Sequence, residues 1–150
     1  VSQRARIAMT DDEITAFIEE NPKFQLATIN RDGTPHLVTM FSGLVEGKIA
    51  FWTYRTSRKA YNLARDPRVT CLIEAGTDYF ELRGLMLYGT VRTLTEPNDV
   101  RYVGSQVVRR MMGLDDEDAI ASVVDQTAAK RHAYVVEPTG VASWDHRKLT

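Results

Sequence analysis

The segment Arg31-Asp32-Gly33-Thr34 constrains the fold of this chain more than any other. It separates two β-rich runs, Phe24 to Asn30 and Pro35 to Phe41, and its Asp-Gly pair supplies the positive φ of a tight hairpin turn. Leu44 to Tyr54 reads as a second pair of strand segments turning at Glu46-Gly47-Lys48. Strand resumes from Val69 to Glu74 and, after Ala75-Gly76-Thr77-Asp78, in a long stretch from Tyr79 to Thr95. Gly84 and Gly89 inside that stretch are expected at bulges or close backbone approaches. A last strand, Ala133 to Glu137, is expected before Pro138-Thr139-Gly140 turns into the tail. Long bent strands with internal glycines suit a closing barrel.

Helical signals lie between these strands. Thr10-Asp11-Asp12-Glu13 has the form of a capping box, with Ile14, Phe17 and Ile18 following at helical spacing before Asn21-Pro22. Ser57 can cap a helix running to Asp66, with Ala60, Leu63 and Ala64 on one face and Pro67 marking its end. Glu96-Pro97-Asn98-Asp99 opens a helix carrying Val100, Val103, Val107, Val108 and Met111, closed near Gly113, and Asp115 to Gln126 reads as another. The chain shows neither an internal repeat nor a low-complexity linker. The expectation is therefore one α+β domain over residues 1–150, built on about six antiparallel strands with short flanking helices.

Composition bears mainly on what to exclude. A net charge of -1 leaves no polycationic field for a nucleic-acid backbone. No run approaches the roughly 18 apolar residues of a spanning helix, and the N-terminus leads into no apolar signal segment, so no membrane is expected and the cytoplasm is the expected location. The one cysteine, Cys71, sits in the apolar run Val69 to Ile73 and reads as an inert core residue.

Candidate chemistry concentrates at one turn. Arg55, Ser57 and Lys59 alternate where a strand ends and a helix begins, placing two cations, a hydroxyl and free backbone N–H groups around one point that suits a phosphate. On spacing alone, an ordinary solvated helix start is the commoner meaning of such a triplet. The alternatives are weaker. His36, His132 and His146 lack metal-site spacing, and Ser143, Asp145 and His146 are too close in sequence for triad geometry. No glycine fingerprint follows a strand, and the acidic run Asp115 to Asp118 reads as a solvated helix start. Trp52, Tyr54, Tyr79, Tyr88 and Trp144 each read first as packing residues.

The hairpin, the segment Phe51-Trp52-Thr53-Tyr54-Arg55-Thr56-Ser57-Arg58-Lys59 and the run Asn62 to Val69 together resemble the pyridoxamine 5'-phosphate oxidase-like superfamily of FMN-binding split barrels. Ala27 to His36 and the ending Ser143 to Leu149 make the chain more similar to the actinobacterial group B flavin/deazaflavin oxidoreductases that use coenzyme F420. The resemblance implies a six-stranded antiparallel split β-barrel that binds F420, or alternatively FMN, with Arg55, Ser57 and Lys59 on the cofactor phosphate. It further implies that the second hairpin strand, through His36, Leu37, Val38, Thr39 and Met40, packs along the ring system. The site is expected to be shared in a homodimer, with Trp144 covering the partner's cofactor, and Lys130 and Arg131 are cations that the F420 polyglutamate tail could use. No metal and no catalytic side chain is expected. The implied activity is hydride transfer from reduced F420 to a small electrophile such as a conjugated carbonyl, a quinone or a tetrapyrrole. An FMN-dependent enzyme on the same fold, and a non-catalytic flavin-, deazaflavin- or haem-binding protein, are the alternatives. The C-terminal substrate-phosphate motif of a true pyridoxamine phosphate oxidase is missing.

Overall fold

The computed structural model describes all 150 residues, Val1–Thr150. Seven antiparallel strands form one sheet in the order β2-β1-β5-β6-β7-β4-β3. They are β1 (Lys23–Ile29), β2 (Pro35–Phe41), β3 (Gly43–Val45), β4 (Lys48–Tyr54), β5 (Arg68–Ala75), β6 (Arg83–Leu94) and β7 (Arg131–Asp145). Helices α1 (Gln3–Ile7), α2 (Asp11–Glu20), α3 (Arg58–Arg65), α4 (Pro97–Met112) and α5 (Glu117–Thr127) surround it. The two edge strands, β2 and β3, are consecutive in the chain and separated only by Ser42. A sheet whose outermost strands are joined by one residue has to roll up, and this one forms the split barrel. Ser42 is fully buried at that seam, donating from N and Oγ to Pro22 O at 2.7 and 3.0 Å.

The local signals act as their chemistry requires. Gly33 takes φ 86° in the hairpin turn, and Asp32 accepts from Thr34 N at 3.0 Å. Thr10 and Glu13 complete the capping box of α2 with bonds of 3.2 and 3.0 Å. The barrel interior is filled by Phe24, Leu26, Phe51, Ile73, Leu85 and Tyr134, among others. A second core lies outside the barrel, where Val100, Val103 and Val107 of α4 cover Ala50 and Trp52 of β4. Gly104 permits this approach, since a Cβ there would lie 2.4 Å from the Trp52 ring.

Three expectations change. The sheet has seven strands because Gly43–Val45 pairs with β4 as a strand of its own. Tyr79–Glu81 is a short 3-10 turn, and β6 begins only at Arg83. The last strand does not stop at Glu137 but continues to Asp145, paired with β6 throughout. Pro138-Thr139-Gly140 is absorbed as a bulge: Gly89 pairs with Pro138 and Tyr88 with Gly140, leaving Thr139 extra. Gly89 makes this possible, because a Cβ would lie 2.4 Å from Glu137 O.

Candidate cofactor site

The turn between β4 and α3 is fixed from both sides. Arg55 N donates to Lys130 O at 3.0 Å, extending the β4–β7 ladder, and Ser57 N closes on Tyr54 O at 3.0 Å. Ser57 is the N-cap of α3, its Oγ accepting from Ala60 N at 3.2 Å and lying 3.2 Å from Thr53 Oγ1. The positive end of the helix and the cations of its first turn thereby converge. Arg55 and Arg58 are exposed, and Lys59 is half-buried.

Arg131 is the principal residue that sequence reasoning misjudged. It is not an exposed tail cation. Its guanidinium lies 4.4 Å from the Trp52 ring centroid and 4.1 Å from that of Tyr54, and Nε donates to Thr127 Oγ1 at 2.9 Å. Burial pushes its pKa down, and the Tyr54 hydroxyl only partly offsets this. Lys59 is likewise pushed below the ordinary lysine value of 10.5, first by burial and then by the positive field of Arg131. Two partly desolvated cations therefore lie within each other's field. The alternation Trp52, Tyr54 with a basic residue opening β7 was the available signal, but it needs the cross-strand register Tyr54↔Arg131 to be read.

Most of the cations without an ion-pair partner gather at this end of the molecule; Arg4, Arg6, Lys23 and Arg110 are the others. Lys48, Arg68, Arg83, Arg92, Arg101, Arg109, Arg147 and Lys148 all reach a carboxylate. Arg31, Arg55, Arg58, Lys59, Arg65, Lys130 and Arg131, which surround α3 and the strand ends beside it, have no carboxylate oxygen within 4.0 Å. A cleft of about 310 Å³ opens beside Arg55, Arg131 and His132 under the start of α4. Uncompensated cations around a helix N-terminus form a cradle for an anion, and the donor set fits a phosphate.

Helix α3 ties this cradle to the hairpin. Asn62, buried, donates to Thr28 Oγ1 and Asn30 Oδ1, both at 3.0 Å, and Arg65 braces Asn62 Oδ1 at 3.0 Å and Ile29 O at 2.6 Å. The five hairpin residues divide between two faces. Val38 and Met40 turn inward onto the barrel core. His36 shares that face, opposite buried Thr28, and its Nδ1 is buried without a hydrogen-bond partner. Leu37 and Thr39 point outward. There they head two rows across the sheet, Leu37-Ala27-Thr70-Tyr88 and Thr39-Gln25-Leu72-Met86. An outer cleft of about 440 Å³ lies on this face between Ala27, Ile29, Thr70 and Tyr88.

Trp144 is not brought to the turn within one chain. It sits at the far end of β7, its ring lying over Gly84, where a Cβ would be 2.0 Å away. No cluster of three or more His, Cys, Asp and Glu side chains is placed to hold a metal ion. Burial pushes the Cys71 thiol up to about 12, which keeps it from reacting as a thiolate.

A rolled antiparallel sheet with a cluster of cations at one helix start and an open outer face is the architecture of a split barrel. The family model described as pyridoxamine 5'-phosphate oxidase matches residues 10–145, and the chain belongs to that family. It is 39% identical to the conserved hypothetical protein Rv2991 from Mycobacterium tuberculosis, with a TM-score of 0.91 over 99% of this chain and 92% of that one. An F420 reductase is 25% identical, with a TM-score of 0.62 over 82% of this chain and 91% of that one. HutZ, the haem storage protein from Vibrio cholerae, is 17% identical with a TM-score of 0.67, covering 89% and 94% of the two chains, a likeness of fold alone. No curated protein matches the sequence.

Proposed function

We propose that this protein is an oxidoreductase that binds coenzyme F420 between the subunits of a homodimer and reduces a small electrophile such as a conjugated carbonyl, quinone or tetrapyrrole. The observation that carries this reading is the uncompensated pair Lys59 and Arg131 beside the N-terminus of α3. Neither has an acidic partner, and their mutual repulsion falls when a phosphate enters. Arg55, Arg58 and the α3 amides complete the anchor. Ser57 shapes it as the cap, accepting from Ala60 N, and its O–H proton remains to be donated to Thr53 Oγ1 or to a phosphate oxygen. The cation supply around α3 exceeds what the single phosphate of FMN requires, and the likeness to an F420 reductase points the same way.

Reduced F420, when bound, supplies a hydride; the chain supplies position. The outer sheet face supports the dimeric reading. Leu37 is 66% exposed and Tyr88 46%, apolar side chains of one row that a second copy would cover. In that arrangement the partner's Trp144 face is available to close over the ring, and Leu37 and Thr39 lie along it. Side chains of a dry, shared site hold the acceptor against the ring without needing a titrating group of their own.

The test is to mix purified protein with reduced F420 under anaerobic conditions and follow its oxidation across a panel of enones, quinones and tetrapyrroles. Turnover with at least one acceptor is expected, together with a dimeric mass in solution. Tight binding without oxidation of F420 by any acceptor would leave a carrier rather than an enzyme. A monomeric mass at working concentration would remove the shared site.

A further inference from the structure

Asn62 and Arg65 of α3 together hold three consecutive residues, Thr28, Ile29 and Asn30, where the first strand of the hairpin ends. The direction of every bond can be assigned. Arg65 only donates, so the Asn62 oxygen has to face it, and does so at 3.0 Å. The Asn62 amide nitrogen therefore faces the hairpin, giving one proton to Thr28 Oγ1 and the other to Asn30 Oδ1, both at 3.0 Å. Asn30 is oriented in turn by its own Nδ2, which donates to Thr34 Oγ1 at 3.1 Å. Asn62 and Thr28 are each 1% exposed, so water does not compete for these bonds. The series stops at Thr28, whose oxygen accepts from Asn62 and whose own proton meets no acceptor. Directly across the hairpin, on the same face, stands His36, with Nδ1 buried and without a partner. A buried donor lacking an acceptor thus lies opposite a buried acceptor lacking a donor, on paired residues of the kind whose Cβ atoms are about 5 Å apart. His36 Nε2 is not buried and makes no hydrogen bond, which leaves it to carry the imidazole proton.

We propose that Thr28 donates to His36 Nδ1, completing a one-way series of hydrogen bonds from Arg65 through Asn62 and Thr28 to His36, and that Asn62 is thereby a positioning residue for the cofactor. The proposal rests on the cofactor reading of the β4–α3 turn and deepens it. In that reading the phosphate is anchored at the start of α3 and the ring lies along β2, two elements separated in the chain by β3 and β4. A ligand that must reach both gains from its second contact only when their spacing is held; the two halves then act at high effective concentration, and the gain is lost when the spacing drifts. Asn62 and Arg65 tie α3 to β1. The Thr28–His36 bond carries the tie across the ladder to β2, one residue before Leu37. Asn62 and Thr28 touch no cofactor in this account and act through the elements they join.

Two measurements test this. In nitrogen NMR spectra at alkaline pH, His36 of the wild-type protein is expected as the neutral Nε2–H tautomer with a hydrogen-bonded Nδ1; Thr28→Val is expected to lose that bond and Thr28→Ser to keep it. An Nδ1–H tautomer in the wild type would overturn the proposal without any variant having to fold. The second measurement compares whole cofactors with their parts: F420 and FMN by fluorescence titration, and riboflavin and inorganic phosphate separately. Thr28→Val and Asn62→Ala are expected to weaken F420 and FMN about tenfold while riboflavin and phosphate stay within about twofold of the wild type, and Thr28→Ser is expected to bind all four as the wild type does. Thr28→Val keeps the shape of the side chain and carries the comparison if Asn62→Ala does not fold. Losses of equal size for whole cofactors and parts would make the network merely structural and overturn the proposal, as would unchanged affinity for the whole cofactors; either result leaves the cofactor reading standing. Failure of the wild-type protein to bind F420 or FMN would overturn the two together.

Discussion

Two half-buried cations, Arg110 at the barrel seam and Lys59 at the start of α3, are under the same physical stress. Burial lowers the pKa of each, and neither has a carboxylate within ion-pairing distance. Their surroundings differ. Arg110 spends its donors on the protein itself: Ser42 O at 3.0 Å, Ile18 O at 2.9 Å, Glu19 O at 3.4 Å and Ser42 Oγ at 3.3 Å. It closes the C-terminal end of α2 and pins the residue that joins the two edge strands. Lys59 makes no hydrogen bond to the protein and lies within the repulsive field of Arg131, a second cation. A cation satisfied by backbone carbonyls is structural, whereas one left unsatisfied beside another cation is a place for an external anion.

The comparison makes opposite demands on the two sites. Arg110→Met should strip four acceptors of their charged donor and lower the unfolding free energy by ~2–4 kcal/mol, read by denaturant titration. Its effect on cofactor affinity should be small, because the seam lies away from α3. Lys59→Met should do the reverse. Removing a partly buried, uncompensated charge should leave stability unchanged or raise it by ~0.5–1 kcal/mol in the same titration. A loss of stability at Lys59 as large as that at Arg110 would erase the distinction.

The smallest expected effect is on pH dependence. An anion in the cradle stabilises protonated Lys59, so the bound-state pKa lies above the lowered free-state value. Between the two, binding takes up a proton, and affinity falls as pH rises through the free-state value. The decline, several-fold in Kd, should begin below the 10.5 of an unperturbed lysine and be absent in Lys59→Arg.

Much of the barrel was legible in the sequence, because its turns are written in local chemistry. Asp32-Gly33 and the Thr10 and Ser57 caps each depend on a few neighbouring residues. The continuation of β7 through Pro138 was not legible, since the bulge that absorbs it depends on Gly89, far away in sequence. The site divides in the same way. That Arg55, Ser57 and Lys59 stand where a strand ends and a helix begins could be read from spacing, but what each of them touches could not. That Arg131 packs on Trp52 and Tyr54, and that only alternate hairpin residues face outward, both follow from strand register. Register shifts by one residue reverse every face, and no local signal fixes them. Arg58 carries no local signal of its own, because Arg31 comes to line one groove with it only when the hairpin packs beside α3.

The central claim is that the unsatisfied cations at the start of α3 exist to hold the phosphate of an acidic deazaflavin cofactor. Side-by-side fluorescence titrations of wild-type protein and Lys59→Met with F420 and with FMN test it most directly. The account predicts tighter binding of F420 than of FMN by the wild type, and a loss of F420 affinity of about 10- to 100-fold in Lys59→Met. Unchanged affinity of Lys59→Met for both ligands would contradict it.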